Sequence, residues 1–234
     1  MYIFNPLEQF EVYPVFANIT NLSLFLIINL FVLVFFVRYN GEEQVIIGRT
    51  NLVKESLTAT IIEAVKEQLG EHKYYPLLFS LFIFILISNI LGMVPYSFTP
   101  TSHLIVTIGL SFPIMVGVTI IGVQKYRGQF FALFLPAGTP TWLIPLLTVI
   151  ELISYVARAF SLGIRLFANI VAGHSLLHIL AGFTYQFTLS NAFFLFKFIP
   201  VAIIAVFVGL EVAIAFLQAY VFVVLTASYL KDVA

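Results

Sequence analysis

The sequence predicts an all-α polytopic membrane protein with one surface amphipathic helix, a transmembrane hairpin and a long, strongly tilted C-terminal helix hairpin. Three observations carry that expectation. Of 234 residues, 61% are hydrophobic and 9% charged, where a soluble domain carries about 25% charged residues, and the mean hydropathy is +1.07. The apolar residues gather into runs long enough to cross a ~30 Å hydrocarbon core. Between Pro145 and Pro200 there is no proline, so the end of the chain reads as helices far longer than one crossing.

Charge and cysteine content narrow the chemistry. Eleven basic residues balance eleven acidic ones, which leaves no overall field for a nucleic acid. With no cysteine, disulfide frameworks, thiolate metal sites and iron–sulfur clusters are excluded. Ionic chemistry falls to His, Glu, Asp, Arg and Lys.

The elements follow in order, within a single membrane domain spanning 1–234. Residues 1–21 hold Glu8, Glu11 and Pro14 but no Lys or Arg; lacking the basic start of a signal peptide, they read as an outer lead-in. Residues 22–38 form the first span, apolar apart from Ser23 and Asn29 and stopped by Arg38. Across 51–70, Leu57, Ile61, Val65 and Leu69 recur every fourth position while Lys54, Glu55, Glu63, Lys66 and Glu67 take the other faces. That pattern predicts an amphipathic helix lying on the membrane surface, with Asn51 as N-cap and Gly70 as stop.

Residues 77–124 predict a transmembrane hairpin turning at Pro95 to Ser102, and they contain no Asp, Glu, Lys or Arg. A short apolar stretch from Phe130 to Thr141 is broken by Pro136, Gly138 and Pro140. Residues 141–231 predict two helices of about 45 and about 40 residues, roughly 60 to 68 Å long, twice the thickness of the core. No polar loop divides either one, so strong tilt is expected.

Sidedness follows from the basic residues. With the N-terminus outside, Arg38, Arg49, Lys54, Lys66, Lys73, Lys125, Arg127 and Lys231 all fall inside, and the opposite loops hold no basic residue. No internal repeat is detectable, which argues against an inverted-repeat transporter.

The remaining ionisable residues are out of place. A charge near the centre of a span costs about 2.5 to 3.5 kcal/mol on the insertion scale, yet the long hairpin carries Glu151, Arg158, Arg165, His174, His178, Lys197, Glu211 and Asp232. Glu151, Arg158 and Arg165 are seven apart, as are Glu211 and Gln218, so each set keeps to one stripe with ~20° of drift per step. A turn near Asn191 and Ala192 sets Arg165 beside Gln218, Glu151 beside Asp232, and His174 close to Glu211. Three layers result. The acidic and imidazole layers can exchange protons when their surroundings shift them. Guanidinium, with a pKa above 12, blocks protons and attracts an anion.

These residues carry a resemblance. The run Ser161 to Asn169, continuing through Ala172-Gly-His174, with Glu211 to Gln218-Ala-Tyr-Val-Phe, closely resembles subunit a of rotary F-type ATP synthases. Pro6-Leu-Glu-Gln-Phe10, Asn89 to Pro95 and Pro136-Ala-Gly-Thr-Pro140 extend the match over most of the chain. The resemblance implies a stator with two offset aqueous half-channels against a ring of c subunits. It implies that Arg165 faces the ring carboxylate with Asn169 and Gln218 near it. His174 and Glu211 then match the outer half-channel, and Glu151 and Asp232 the inner one. His at 174 with Glu at 211 is similar to the mitochondrial pattern. That implies a multi-pass protein of the mitochondrial inner membrane, N-terminus in the intermembrane space and C-terminus in the matrix. The implied partners are the c-ring, the peripheral stalk, other Fo subunits and lipid, with no cofactor, metal or nucleic acid and no catalytic centre of its own.

Plainer readings stand beside this one. Arg158 either holds Glu151 or snorkels. His178, one turn from His174, is either a polar core residue or a haem or metal ligand. Gly163, Gly173 and Gly182 read as close-packing points. The alternative functions are a self-contained ion channel or secondary transporter, and a cofactor-binding subunit of a membrane enzyme, although neither HExxH nor GxSG occurs.

Overall fold

The computed structural model describes residues 10–16, 19–38, 49–69, 74–94, 98–127, 143–189 and 198–233. These form six helices: α1 (Asn21–Arg38), α2 (Arg49–Leu69), α3 (Tyr75–Gly92), α4 (Leu104–Tyr126), α5 (Ile144–Leu189) and α6 (Phe198–Val233). A 3-10 turn, Pro100–Ser102, precedes α4. Two short strands before α1, β1 (Pro14–Phe16) and β2 (Ile19–Thr20), pair antiparallel. The lead-in is therefore not wholly irregular. Its ladder is too short to show as alternation in the sequence.

Among the described residues, four helices are long and apolar enough to cross a membrane, Tyr75–Gly92, Leu104–Tyr126, Ile144–Gln186 and Phe198–Lys231. The shorter apolar stretch Asn21–Phe35 lies in α1. The expected surface helix begins at Arg49 rather than at Asn51, which sits in its first turn, and Gly70 lies outside the described residues. Its apolar stripe is turned into protein: Ile61, Ala64 and Val65 are buried while Glu55, Glu63 and Lys66 are exposed.

α4 contains Pro113, which removes one backbone donor, a cost that spanning helices tolerate. α5 runs unbroken for 46 residues and α6 for 36. At 1.5 Å per residue they are about 69 and 54 Å long. The stretch Phe130–Thr141, its Pro136–Pro140 segment, the turn at Asn191 and Ala192, and Lys197 lie outside the described residues.

The chain divides into two compact units. The first comprises Met1–Val45, Ser80–His103 and Leu166–Tyr220. Within it the buried Asn29 donates to Ser88 Oγ, and Asn89, fully buried, donates from Nδ2 to the carbonyl of Ala215 at 3.3 Å. Thr101 Oγ1 reaches Asn89 Oδ1 at 3.5 Å. Rings interlock at Phe25–Phe98 and Phe82–Phe216, with centroids 5.9 and 5.8 Å apart. Because lipid offers no hydrogen bonds, such side-chain bonds between helices serve as glue worth about 0.6 to 2 kcal/mol each.

The second unit comprises Ile46–Phe79, Leu104–Arg165 and Val221–Ala234. Here Gly163 lets α5 approach α4. A Cβ at that position would lie 3.1 Å from both Ile108 Cα and the Thr107 carbonyl, and 2.8 Å from Ser111 Oγ. Thr119 and Tyr155 hydroxyls join the same two helices at 2.7 Å.

Candidate functional site

In the first unit, α5 and α6 each present one ionisable side chain to the other. His174 Nδ1 lies 3.8 Å from Glu211 Oε1, and both side chains are largely buried. That separation is longer than a hydrogen bond and short enough for one rearrangement or a bridging water to close it. Among the described residues, His174 Nε2 and Glu211 Oε1 are buried without a hydrogen-bond partner. The close approach depends on Gly173, where a Cβ would stand 2.9 Å from Glu211 Oε1. His178, one turn further along α5, is partly buried.

One and a half turns before His174, Asn169 donates from Nδ2 to Gln218 Oε1 at 2.8 Å. Gln218 is buried. The amide pair satisfies two polar groups that would each be costly alone. The sequence sets Arg165 beside Gln218 with Asn169 near it, and the Gln218 acceptor oxygen bonds Asn169, four residues beyond Arg165 in the sequence.

Arg165 is partly buried in the middle of α5. Among the described residues no hydrogen bond or ion pair reaches it. It thus differs from Arg158, which donates to Glu151 Oε1 at 3.2 Å and lies over the Tyr229 ring at 5.8 Å. Seven residues separate Arg158 from each neighbour on its stripe, and only Glu151 carries the opposite charge. Asp232 ends on α6, and its side chain lies outside the described residues.

Three features were not read from the sequence: the Asn89 bond to Ala215, one turn from Glu211; the Thr119–Tyr155 pair; and the ring of Phe10, packed edge-on at 6.1 Å from His174. Asn89 had a signal, being an amide inside a span otherwise free of strongly polar groups. Phe10 had only its place at the end of the Pro6-Leu-Glu-Gln-Phe10 run, with nothing to tie it to His174.

The fold and these residues define a polytopic helical membrane protein that carries ionisable side chains within two of its long apolar helices. Residues 20–231 match the family model described as ATP synthase A chain. The chain is 46% identical over 246 residues to ATP synthase subunit a of Emericella nidulans, covering 99% of this chain and 96% of that protein. It is 47% identical over 247 residues to the Neurospora crassa subunit (98% and 94% covered) and 48% over 244 residues to that of Podospora anserina (97% and 92%). The chain belongs to the ATP synthase A chain family.

Proposed function

We propose that the chain is the stator of a proton-driven rotary ATP synthase in the mitochondrial inner membrane, working as one membrane domain against a ring of c subunits. The observation that carries the reading is the solitary Arg165. A guanidinium inside a span costs several kcal/mol unless a counter-charge meets it, and among the described residues none does. A carboxylate on another chain is the partner that such a group requires.

The path then has two dead ends. A proton from the outer side passes Glu211 and His174 and neutralises a ring carboxylate, which can then turn into lipid. After nearly a full turn the carboxylate meets Arg165 and releases its proton toward Glu151 and Asp232. At ~4 Å and an effective dielectric near 20, that attraction is about 4 kcal/mol before desolvation, so the pair forms and parts reversibly. A proton crossing 100 mV supplies about 2.3 kcal/mol. Arg165 cannot relay protons, so it separates the half-channels.

Support for the outer path comes from the His174–Glu211 approach, for the centre from the Asn169–Gln218 pair, and for the inner path from Glu151 held by Arg158. The inside bias of basic residues favours an N-terminus in the intermembrane space and a C-terminus in the matrix. The peripheral stalk and other Fo subunits complete the stator, and no cofactor is called for.

Replacement of Arg165 with Ala should abolish proton-coupled ATP synthesis and let protons leak between the half-channels; retained coupling would reject the gate. Glu211→Gln should slow potential-driven proton uptake without a leak, and an unchanged rate would remove Glu211 from the outer path.

A further inference from the structure

Among the described residues, no hydrogen bond fixes the His174 imidazole. Its Nε2 is buried without a partner among the described residues, and its Nδ1 stands 3.8 Å from Glu211 Oε1, too far for direct donation. Ring rotation about χ2 is broad and roughly two-fold, so packing must choose the plane. Among the described residues its aromatic neighbour is Phe10, with centroids 6.1 Å apart and planes at 73°, an edge-to-face geometry within the favoured range.

Phe10 is itself moored. At the start of α1, the Asn21 side chain donates to the Glu11 carbonyl at 3.0 Å and accepts from the Tyr13 N–H at 3.3 Å. The Asn21 backbone N–H donates to the Tyr13 carbonyl at 3.1 Å. The Tyr13 hydroxyl donates to the Glu11 carboxylate. Three bonds from one asparagine thus fix the residues immediately after Phe10, and the β1–β2 ladder closes the segment behind them.

We propose that Phe10, moored by Asn21, covers the His174 imidazole and holds its plane toward Glu211, so that the Phe10 ring forms one wall of the outer proton path. Phe10 is a positioning residue, acting through His174. The inference rests on the outer-path reading above. An imidazole covered on one side keeps its nitrogens for Glu211 and for water arriving from elsewhere, and it cannot swing away between proton transfers.

The test uses the whole complex in membranes. Diethyl pyrocarbonate is added from the outer side, and modification of His174 is read by mass spectrometry of its peptide, with His178 as internal reference. Proton uptake under an imposed potential is measured alongside, both normalised to assembled complex. Phe10→Ala and Asn21→Ala should raise His174 modification several-fold with His178 unchanged, and slow uptake several-fold; Phe10→Tyr should restore both. Unchanged His174 modification in Phe10→Ala overturns the proposal. Should that variant assemble poorly, Phe10→Leu keeps the bulk and loses the ring; wild-type modification and uptake there would overturn the proposal equally. Glu211→Gln separates the two levels: if it slows uptake while the Phe10 variants do not, the positioning role alone falls, and if it has no effect, the outer-path reading falls.

Discussion

Gly173 offers a sharp test because one added carbon meets the Glu211 carboxylate of the proposed outer path. In Gly173→Ala the new Cβ would stand 2.9 Å from Glu211 Oε1, 3.3 Å from Cδ and 3.5 Å from Cγ. Ordinary contact needs about 3.5 Å, so the carboxylate must retreat by about half an ångström. It is the far end of a flexible side chain, and leaving its rotamer costs about 0.5 to 1.5 kcal/mol. Replacing glycine in a helix interior returns about 0.5 to 1 kcal/mol. The net is within about 1 kcal/mol, so the subunit should assemble normally. Transfer is less forgiving: the 3.8 Å gap to His174 widens, and a 1 Å misplacement can cost about a hundredfold, so half that displacement predicts proton uptake slower by about tenfold. The measurement is potential-driven uptake in vesicles per assembled complex. Gly182→Ala is the control, since a Cβ there meets nothing within 4 Å among the described residues. Wild-type uptake in Gly173→Ala, or an equal loss in Gly182→Ala, would refute the geometric argument.

Gly163→Ala should behave differently, because its Cβ meets backbone that cannot swing aside: Ile108 Cα and the Thr107 carbonyl at 3.1 Å. Overpacking of this kind costs about 1 to 3 kcal/mol, so less assembled subunit and a lower thermal midpoint in detergent are expected, both read by immunoblot. His103 predicts a pH effect. Burial lowers its pKa, its ring stacks on Phe98 at 5.3 Å, and its Nε2 is buried without a partner among the described residues. The folded state therefore refuses a proton that the unfolded chain accepts, so this contribution to stability is present above the ordinary value near 6.5 and is lost as pH falls below it. Thermal retention measured from pH 8 downward should fall more steeply in the native chain than in His103→Phe, and parallel curves would dismiss the effect.

The helices were legible because lipid demands long, continuous apolar runs, and the long hairpin because no proline interrupts it between Pro145 and Pro200. Glu151 with Arg158 was legible too, since seven residues return to the same face of one helix. Pairings across helices were harder. Counting from an assumed turn carries an uncertainty of about one helical turn, which is the step between Arg165 and the amide that holds Gln218. Gly173 and Gly182 look alike in the sequence; only the neighbouring helix distinguishes a glycine under a carboxylate from one facing open space. Asn21 reads as an ordinary polar start to α1, and its hold on Glu11 and Tyr13 depends on a chain reversal that five strand residues do not announce.

The uninterrupted course of α5 makes it a ruler. Asn169 and His174 ride on a single rod, so their axial separation is set by residue count alone, about 7.5 Å. A loop absorbs an inserted residue by bulging. This rod has no slack, and an insertion between Asn169 and His174 would turn the imidazole by about 100° relative to the Asn169–Gln218 pair, carrying it off Glu211 while leaving every side chain chemically intact.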